Sequence, residues 1–471
     1  MVERDQIFIN GAWVAPSGDE VIEVINPATE ETIATVPRGT ADDVDRAAQA
    51  AAAAFGDWAR TPADERAAIL RTLAELLENR ADDVTRMIVS EIGQPITLAA
   101  RSQTAVAVRD LRNFADALKD VVWAEPAGDA MVHRRPAGVV GAITAWNGPV
   151  RSVCLKAGAA IAAGCTVVLK GSEVAPLTSF LVTELASEAG LPAGVLNLVS
   201  GTGPEVGEAI AGHPLIDMVS LTGSVRAGSR VMAVASASIK RVALELGGKS
   251  ANIVLDDADV TRAVEVGLED AFRNSGQVCG SLSRVLVPRS RLREAEEIAA
   301  AKAESYVLGD PLDPATTMGP VATSAQRDRV RAYIQGALEE GCRLVTGGPE
   351  APDGLERGYY VRPTVFSATN DAKIAREEVF GPVTVVIPHD GEDDAVAVAN
   401  DSAYGLAGAV WSADAARARA VAARVRTGRV RINGAPLDMR APHGGFKRSG
   451  IGREMGRYGI EGYLEYQALH G

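Results

Sequence analysis

Between residues 138 and 247 the chain alternates short apolar runs with longer stretches of helical apolar spacing, and few folds tolerate that pattern. Val139–Trp146, Thr166–Lys170, Val195–Ser200, Asp217–Thr222 and Arg241–Leu246 read as buried strands. Leu155–Ala163, Leu177–Ala189, Pro204–Ala211 and Val225–Ala235 read as the helices between them, with Gly164 and Gly190-Leu191-Pro192 as stop signals. Strands joined through helices run parallel, so the segment predicts βαβ units around one parallel sheet. Ligands of such sheets bind at the carboxyl ends of the strands, and the turns that follow each strand are where chemistry is expected.

The alternation resumes with Ser283–Val287, Leu292–Leu308, Arg327–Glu340, Arg343–Thr346 and Thr384–Ile387, which predicts a second α/β domain beginning near residue 248. Upstream lie short strands at Ile7–Asn10 and Val21–Ile25 and helices over Ala41–Phe55, Ala63–Asn79 and Thr97–Leu118. Residues 120–136, around Pro126-Ala127-Gly128, read as a hairpin. A chain of 471 residues is too long for one simple core. Its net charge of −13 argues against nucleic acid or an anionic membrane as the main partner. The first residues carry no signal-peptide core, and no run approaches the roughly 18 apolar residues of a membrane span. Four cysteines without a CxxC pair, and five scattered histidines, predict a reducing cytoplasmic setting and no metal site.

Several side chains could carry chemistry. Gly201-Thr202-Gly203-Pro204-Glu205-Val206-Gly207 lies between a strand and a helix. Its GxGxxxG spacing fits a plain Gly-rich turn as well as a dinucleotide site. A second such turn, Leu221-Thr222-Gly223-Ser224, offers a hydroxyl and backbone N–H groups at a helix N-terminus, where phosphate is favoured. Two such turns in adjacent βα units point to a dinucleotide. Lys170 and Glu173 follow a strand end and could hold ribose hydroxyls, or be solvated surface. Cys279 stands among small and polar residues, as an accessible nucleophile would, although buried free cysteine is common. Cys154 and Cys165 lie in apolar stretches and read as core. Glu245 is a carboxylate in an otherwise apolar strand; burial would raise its pKa towards that of a general base, whereas an outward-facing position would leave it inert.

Seven motifs in order resemble those of the aldehyde dehydrogenase superfamily, over nearly the whole chain. They are Trp146-Asn147-Gly148-Pro149, Lys170-Gly171-Ser172-Glu173, Leu221-Thr222-Gly223-Ser224, Glu245-Leu246-Gly247-Gly248-Lys249, Gly276-Gln277-Val278-Cys279, Glu377-Glu378-Val379-Phe380-Gly381-Pro382, and the segment from Gly444 to Glu454. The resemblance implies an α/β fold with a Rossmann-like cofactor domain (residues 1–118 and 138–247), a second α/β catalytic domain (248–448) and a small β oligomerisation element (119–137 and 461–471). A homodimer or homotetramer follows from it, since unpaired strand edges invite pairing.

By the same resemblance Cys279 attacks an aldehyde as thiolate, and the Asn147 amide and Cys279 N–H hold the oxyanion. Hydride then passes to NAD, leaving a thioester, and Glu245 activates the water that hydrolyses it to a carboxylic acid. Lys170 and Glu173 are implied to hold the adenosine ribose, Ser224 the pyrophosphate and Glu378 the nicotinamide ribose, with Phe380 nearby. Trp146, Gly203, Gly207, Thr222, Gly223 and Leu246 complete the cofactor set. Glu173 favours NAD over NADP, whose 2′-phosphate it would repel. Departures fall on the substrate side. Gly148 and Gly280 would widen the tunnel, with Leu155 and Val278 beside them. Arg273 and His443 would add polarity for an acidic or oxygenated aldehyde, unless Arg273 pairs with a carboxylate. Gly171 for the family's Pro would only loosen the turn after Lys170. Two other readings stay open: transfer of the acyl group to CoA, against which Glu245 counts, and an inactive binding protein on the same fold.

Overall fold

The structure, a computed structural model, describes residues 2–471. Two large sheets organise it. The first is 8-stranded, and its parallel centre runs Leu196–Leu198, Thr166–Lys170, Val139–Ile143, Met218–Thr222, Arg241–Glu245. In chain order that is the 3-2-1-4-5 arrangement of a doubly wound fold, with its switch point between Val139–Ile143 and Met218–Thr222. Ile7–Ile9 and Ala12–Val14 close one side and Gly450–Ile451 the other, where it lies antiparallel to Arg241–Glu245.

The second sheet is 7-stranded, in the order Arg343–Thr346, Thr364–Ser367, Val383–His389, Arg284–Pro288, Ala251–Val254, Ala407–Trp411, Arg429–Ile432. Only its first strand is antiparallel to its neighbour. Leu464–His470 pairs along its length with Ala130–Pro136, which forms a hairpin with Ala124–Ala127. Val21–Ile25, Thr32–Pro37 and Val2–Glu3 make a further small sheet. No helix among the described residues is long and apolar enough to cross a membrane.

The element boundaries show local physics at work. The strand expected over Val139–Trp146 leaves the sheet after Ile143, which frees Trp146 and Asn147 to reach across its end. The following helix begins at Pro149, not Leu155, because proline's fixed φ suits the first helical position. That helix, Pro149–Ala163, is almost wholly buried, and its small residues let neighbours close in: a Cβ on Gly158 would sit 3.0 Å from Leu111. The helix expected over Thr97–Leu118 is interrupted by a π-helical turn at Ala100–Thr104. The helix expected at Pro204–Ala211 likewise opens as a π-helical turn, Gly203–Gly207, before Glu208–Gly212. Ala81–Ile92 is a helix not among the sequence-based expectations; Val84, Ile88, Val89 and Ile92 share one buried face.

Candidate active site at the junction of the two sheets

Leu246-Gly247-Gly248-Lys249-Ser250 carries the chain from the first sheet, at Arg241–Glu245, into the second, at Ala251–Val254. The predicted site residues converge on this crossing. Gly248 N–H donates to Glu378 Oε1 at 3.1 Å, and a Cβ on Gly247 would collide with the same carboxylate at 1.9 Å, so glycine is needed there. Burial pushes the Glu378 pKa up to about 7, with the Gly248 N–H and Lys249 opposing it. Phe380, in the left-handed region at φ 59°, packs edge-on against Trp146 with ring centroids 5.4 Å apart. Leu246 is buried and fills the space that Gly228 leaves beside it.

Cys279 is half-buried, four residues after Ser275 in a strained turn. Asn274 and Ser275 both hold φ near +55° (53° and 55°), a costly conformation for residues with a Cβ. Side chains hold the turn in place. Asn274 Nδ2 donates to Asn147 O at 3.2 Å, Ser275 Oγ to Gly319 O at 2.7 Å, and Gln277 Nε2 back to Asn274 O at 3.1 Å. The Asn147 amide donates one hydrogen to Gln277 O at 3.0 Å, which fixes it on the carbonyl two residues before the cysteine with a second hydrogen to spare. Burial pushes the Cys279 thiol up to about 11, opposed chiefly by Arg429 and reinforced by Glu245 and Glu378. Cys154 and Cys165 are fully buried, as expected of core thiols.

Glu245 faces inward: it is 6% exposed, and neither carboxylate oxygen has a hydrogen-bond partner. Burial drives its pKa well above the usual carboxylate value, and Glu454 adds to this, while Lys156, Arg453 and Arg429 oppose it. Lys156, buried in the helix Pro149–Ala163, donates to Glu454 Oε1 at 2.8 Å and to Ser220 Oγ at 3.1 Å.

Further along the first sheet, Lys170 Nζ donates to Glu173 Oε2 at 2.8 Å and Gly203 N–H to Oε1 at 3.3 Å. Burial would raise the Glu173 pKa, but Lys170 and the backbone donors outweigh it and hold the carboxyl below its usual value. Gly203 has nothing within 4 Å of an added Cβ, and Gly207 only ordinary contacts with Lys170 and Ile143. Internal crowding therefore does not account for these two glycines. Ser224 is exposed and caps the helix Val225–Ala235, its Oγ accepting from Ala227 N–H at 3.2 Å, so its O–H remains available to an anion. The Gly223 N–H is not available, because it donates to Glu245 O at 3.0 Å along the ladder that pairs Thr222 with Glu245.

The substrate side differs more from expectation. Gly280 does not widen a tunnel: a Cβ there would lie 2.6 Å from Arg429 Nη2, so the guanidinium already fills that volume. Gly148 faces the Gln103 amide, 3.4 Å from an added Cβ, and Gln103 Nε2 donates to Asn147 O. Leu155 is buried and Val278 half-buried. Arg273 lies 3.4 Å from Asp270, the carboxylate pairing left open above, and Arg431 approaches the same carboxylate at 3.7 Å. His443 points to Glu245, with Nε2 3.7 Å from Oε2, and its Nδ1 lies 3.3 Å from Arg429 Nη1. Gly171 does more than loosen a turn, since Ser179 Oγ occupies the place of its Cβ at 2.3 Å. Arg429 was missed entirely. Its signal was a strand, Arg429–Ile432, in which arginines alternate with Val430 and Ile432 close to the C-terminal motif.

Comparison with known proteins is consistent along the whole chain. The model of the aldehyde dehydrogenase family matches residues 13–469. A 3-succinoylsemialdehyde-pyridine dehydrogenase from a Pseudomonas species is 46% identical over 100% of this chain and 99% of its own. Aldehyde dehydrogenase C from Pseudomonas syringae, solved as a cysteine-to-alanine mutant with NAD+ and octanal, superposes with a TM-score of 0.98 at 47% identity, covering 99% of this chain and 96% of that one. The Mycobacterium tuberculosis aldehyde dehydrogenase in complex with NAD+ gives 0.97 at 42% identity, covering 100% and 98%. With matches of this extent to the family and to its solved members, the chain belongs to the aldehyde dehydrogenase family.

Proposed function

We propose that the chain oxidises an aldehyde to a carboxylic acid with NAD, through a thioester on Cys279. The observation that carries this reading is the Asn147 amide, anchored on the carbonyl two residues before Cys279 and keeping one donor free. With the Cys279 N–H it forms a two-donor site for the oxyanion that develops when the thiolate adds to a carbonyl. Glu245, buried and unpaired, then takes a proton from the water that hydrolyses the thioester. Such a base favours water over CoA as acyl acceptor.

Residues at the carboxyl ends of the first sheet, together with Glu378 from the second α/β unit, fit NAD. Lys170 and Glu173 would hold the adenosine ribose, the exposed Ser224 O–H the pyrophosphate and Glu378 the nicotinamide ribose, with room over Gly203. When bound, NAD supplies the acceptor for the hydride released from the adduct. Glu173, ionised beside Lys170, disfavours a 2′-phosphate. In this reading the first sheet is the cofactor domain, the second carries the nucleophile, and the Leu464–His470 sheet joins subunits. The aldehydes named with the two Pseudomonas relatives, an aryl semialdehyde and octanal, both carry long tails, and a long-chain or arylalkyl aldehyde is the first choice for this chain. An aldehyde panel followed by formation of reduced cofactor tests the reading. Activity should vanish in Cys279→Ser, and acid should form without CoA; turnover by Cys279→Ser, or a strict need for CoA, would overturn it.

A further inference from the structure

The carboxylate of Glu245 is walled on one side by the Gly444 turn, where φ is +156° and a Cβ would stand 2.8 Å from Oε1. On the other side stands the His443 ring, its Nε2 3.7 Å from Oε2. Both Glu245 oxygens lack a donor, and a small side-chain rotation would bring the nearer one within hydrogen-bond range of Nε2. His443 itself is fixed. Its backbone pairs in both directions with Glu454, His443 N–H to Glu454 O at 2.9 Å and Glu454 N–H to His443 O at 2.7 Å.

Arg429 decides the tautomer. A guanidinium has only donors, so the 3.3 Å contact makes His443 Nδ1 an acceptor. The single proton of the neutral ring must then sit on Nε2, facing Glu245. Arg429 can take this position because Gly280 has no side chain. Burial, Arg429, Arg151, Arg453 and Lys156 all push the His443 pKa well below its usual value, so the ring stays neutral. With Nδ1 covered and Nε2 already protonated, the ring can donate to Glu245 but cannot accept a proton from it. The other charged groups facing Glu245 are Glu454, which disfavours its ionised form, and Lys156, Arg453 and Arg429, which favour it. Beyond burial, the Cys279 thiol is influenced by Arg429, which lowers its pKa, and by Glu245, which raises it.

We propose that His443 is a positioning residue for Glu245: held as the Nε2–H tautomer by Arg429, it donates to the carboxylate and keeps the base ionised while the acyl-enzyme is hydrolysed. This rests on Glu245 being the base. p-Nitrophenyl acetate would acylate Cys279 without cofactor, and the steady release after the nitrophenolate burst would report hydrolysis of the acyl-enzyme. His443→Phe should move the acid limb of that hydrolysis up by about one pH unit and leave the burst amplitude unchanged. His443→Gln, which keeps an amide donor, should restore most of the shift. Nitrogen-15 NMR of the native protein, with His443→Phe to assign the signal, should show a neutral Nε2–H ring that does not titrate between about pH 5 and pH 8. An unmoved acid limb in His443→Phe, an Nδ1–H ring, or titration in that window would overturn the proposal. Normal hydrolysis in Glu245→Gln would instead overturn the role of Glu245, a distinct result.

Discussion

Gly280→Ala separates two accounts of the residue that follows the nucleophile. If Gly280 merely opened space for substrate, one methyl group would hinder bulky aldehydes and leave the thiol's own reactivity alone. The structure puts the Arg429 guanidinium in that space, with Nη2 2.6 Å from the added Cβ and Ala407 Cβ 3.5 Å away on another side. A comfortable separation is about 3.5 Å, so the guanidinium must retreat by about 0.9 Å. The contact between its Nη1 and His443 Nδ1 is already 3.3 Å, and a retreat of that size away from the ring breaks it. Crowding of this kind costs about 1–3 kcal/mol of stability, a modest fall in Tm for a protein this large. The larger effect falls on Cys279. Arg429 is the main influence holding its pKa down against burial, and a cation within a few ångströms shifts a thiol by about 1–3 units. Partial withdrawal then raises the thiol by about one unit, so the thiolate fraction, and with it the rate of inactivation by iodoacetamide, falls about tenfold below pH 10. The assay is that rate measured against pH in both proteins, with no aldehyde present. An unchanged alkylation profile, with loss confined to bulky aldehydes, would refute the placement of Arg429 and restore the tunnel account.

Three other outcomes follow from the same geometry. Glu91 is fully buried, accepts from Leu177 N–H at 2.7 Å, and has its pKa raised by burial from 4.5 to about 8. The unfolded chain therefore ionises first: the stability that Glu91 contributes is intact below about pH 4.5 and is lost as pH rises towards 8, by on the order of 4–5 kcal/mol. Glu91→Gln should flatten that part of the pH dependence in urea titrations; parallel curves for the two proteins would contradict it. Glu173→Gln removes the carboxylate that sits between Lys170 and Gly203 N–H, so kcat/KM for NADP relative to NAD should rise about tenfold, whereas an unchanged ratio would place cofactor choice elsewhere. Tyr466 and Leu469 are exposed on Leu464–His470, and lysine at both should yield a smaller particle in light scattering if that sheet joins subunits.

The parts of this protein that were legible in the sequence are those fixed by local chemistry. Ala63–Asn79, Thr166–Lys170 and Val225–Ala235 were bounded to the residue because a proline, a glycine or a capping serine marks their ends. Cys279, Glu245, Asn147 and Glu378 stand in motifs with small neighbours, and the structure shows what that space is for: Gly247 clears the way for Glu378, and Gly276 for the carbonyl of Gly381. Illegible were the contacts made between residues distant in sequence. Arg429 and Gly280 meet only because two non-consecutive segments of the second sheet's domain fold together. Lys156 and Glu454 pair across 298 positions.

That division explains what the departures from the family's pattern do in the structure. By side-chain volume or charge alone, Gly280 and His443 suggest an adjustment of the substrate tunnel, whereas Arg273 is open to pairing with a carboxylate. In the structure Arg273 is taken up by Asp270, while Gly280 and His443 are the two sides of one arrangement with Arg429 between them. A ring that must accept at Nδ1 needs a permanent donor, and a buried guanidinium needs both space and an acceptor. Gly280 supplies the space and His443 the acceptor. The coupling sets a specific order of tolerance. His443→Phe strips Arg429 of its acceptor, so the guanidinium is left buried without that partner and should cost more than the loss of one hydrogen bond, about 1–3 kcal/mol. Adding Arg429→Thr to His443→Phe removes the stranded charge, and the double mutant should melt above the single one. Additive losses in thermal unfolding would show that the two residues act independently.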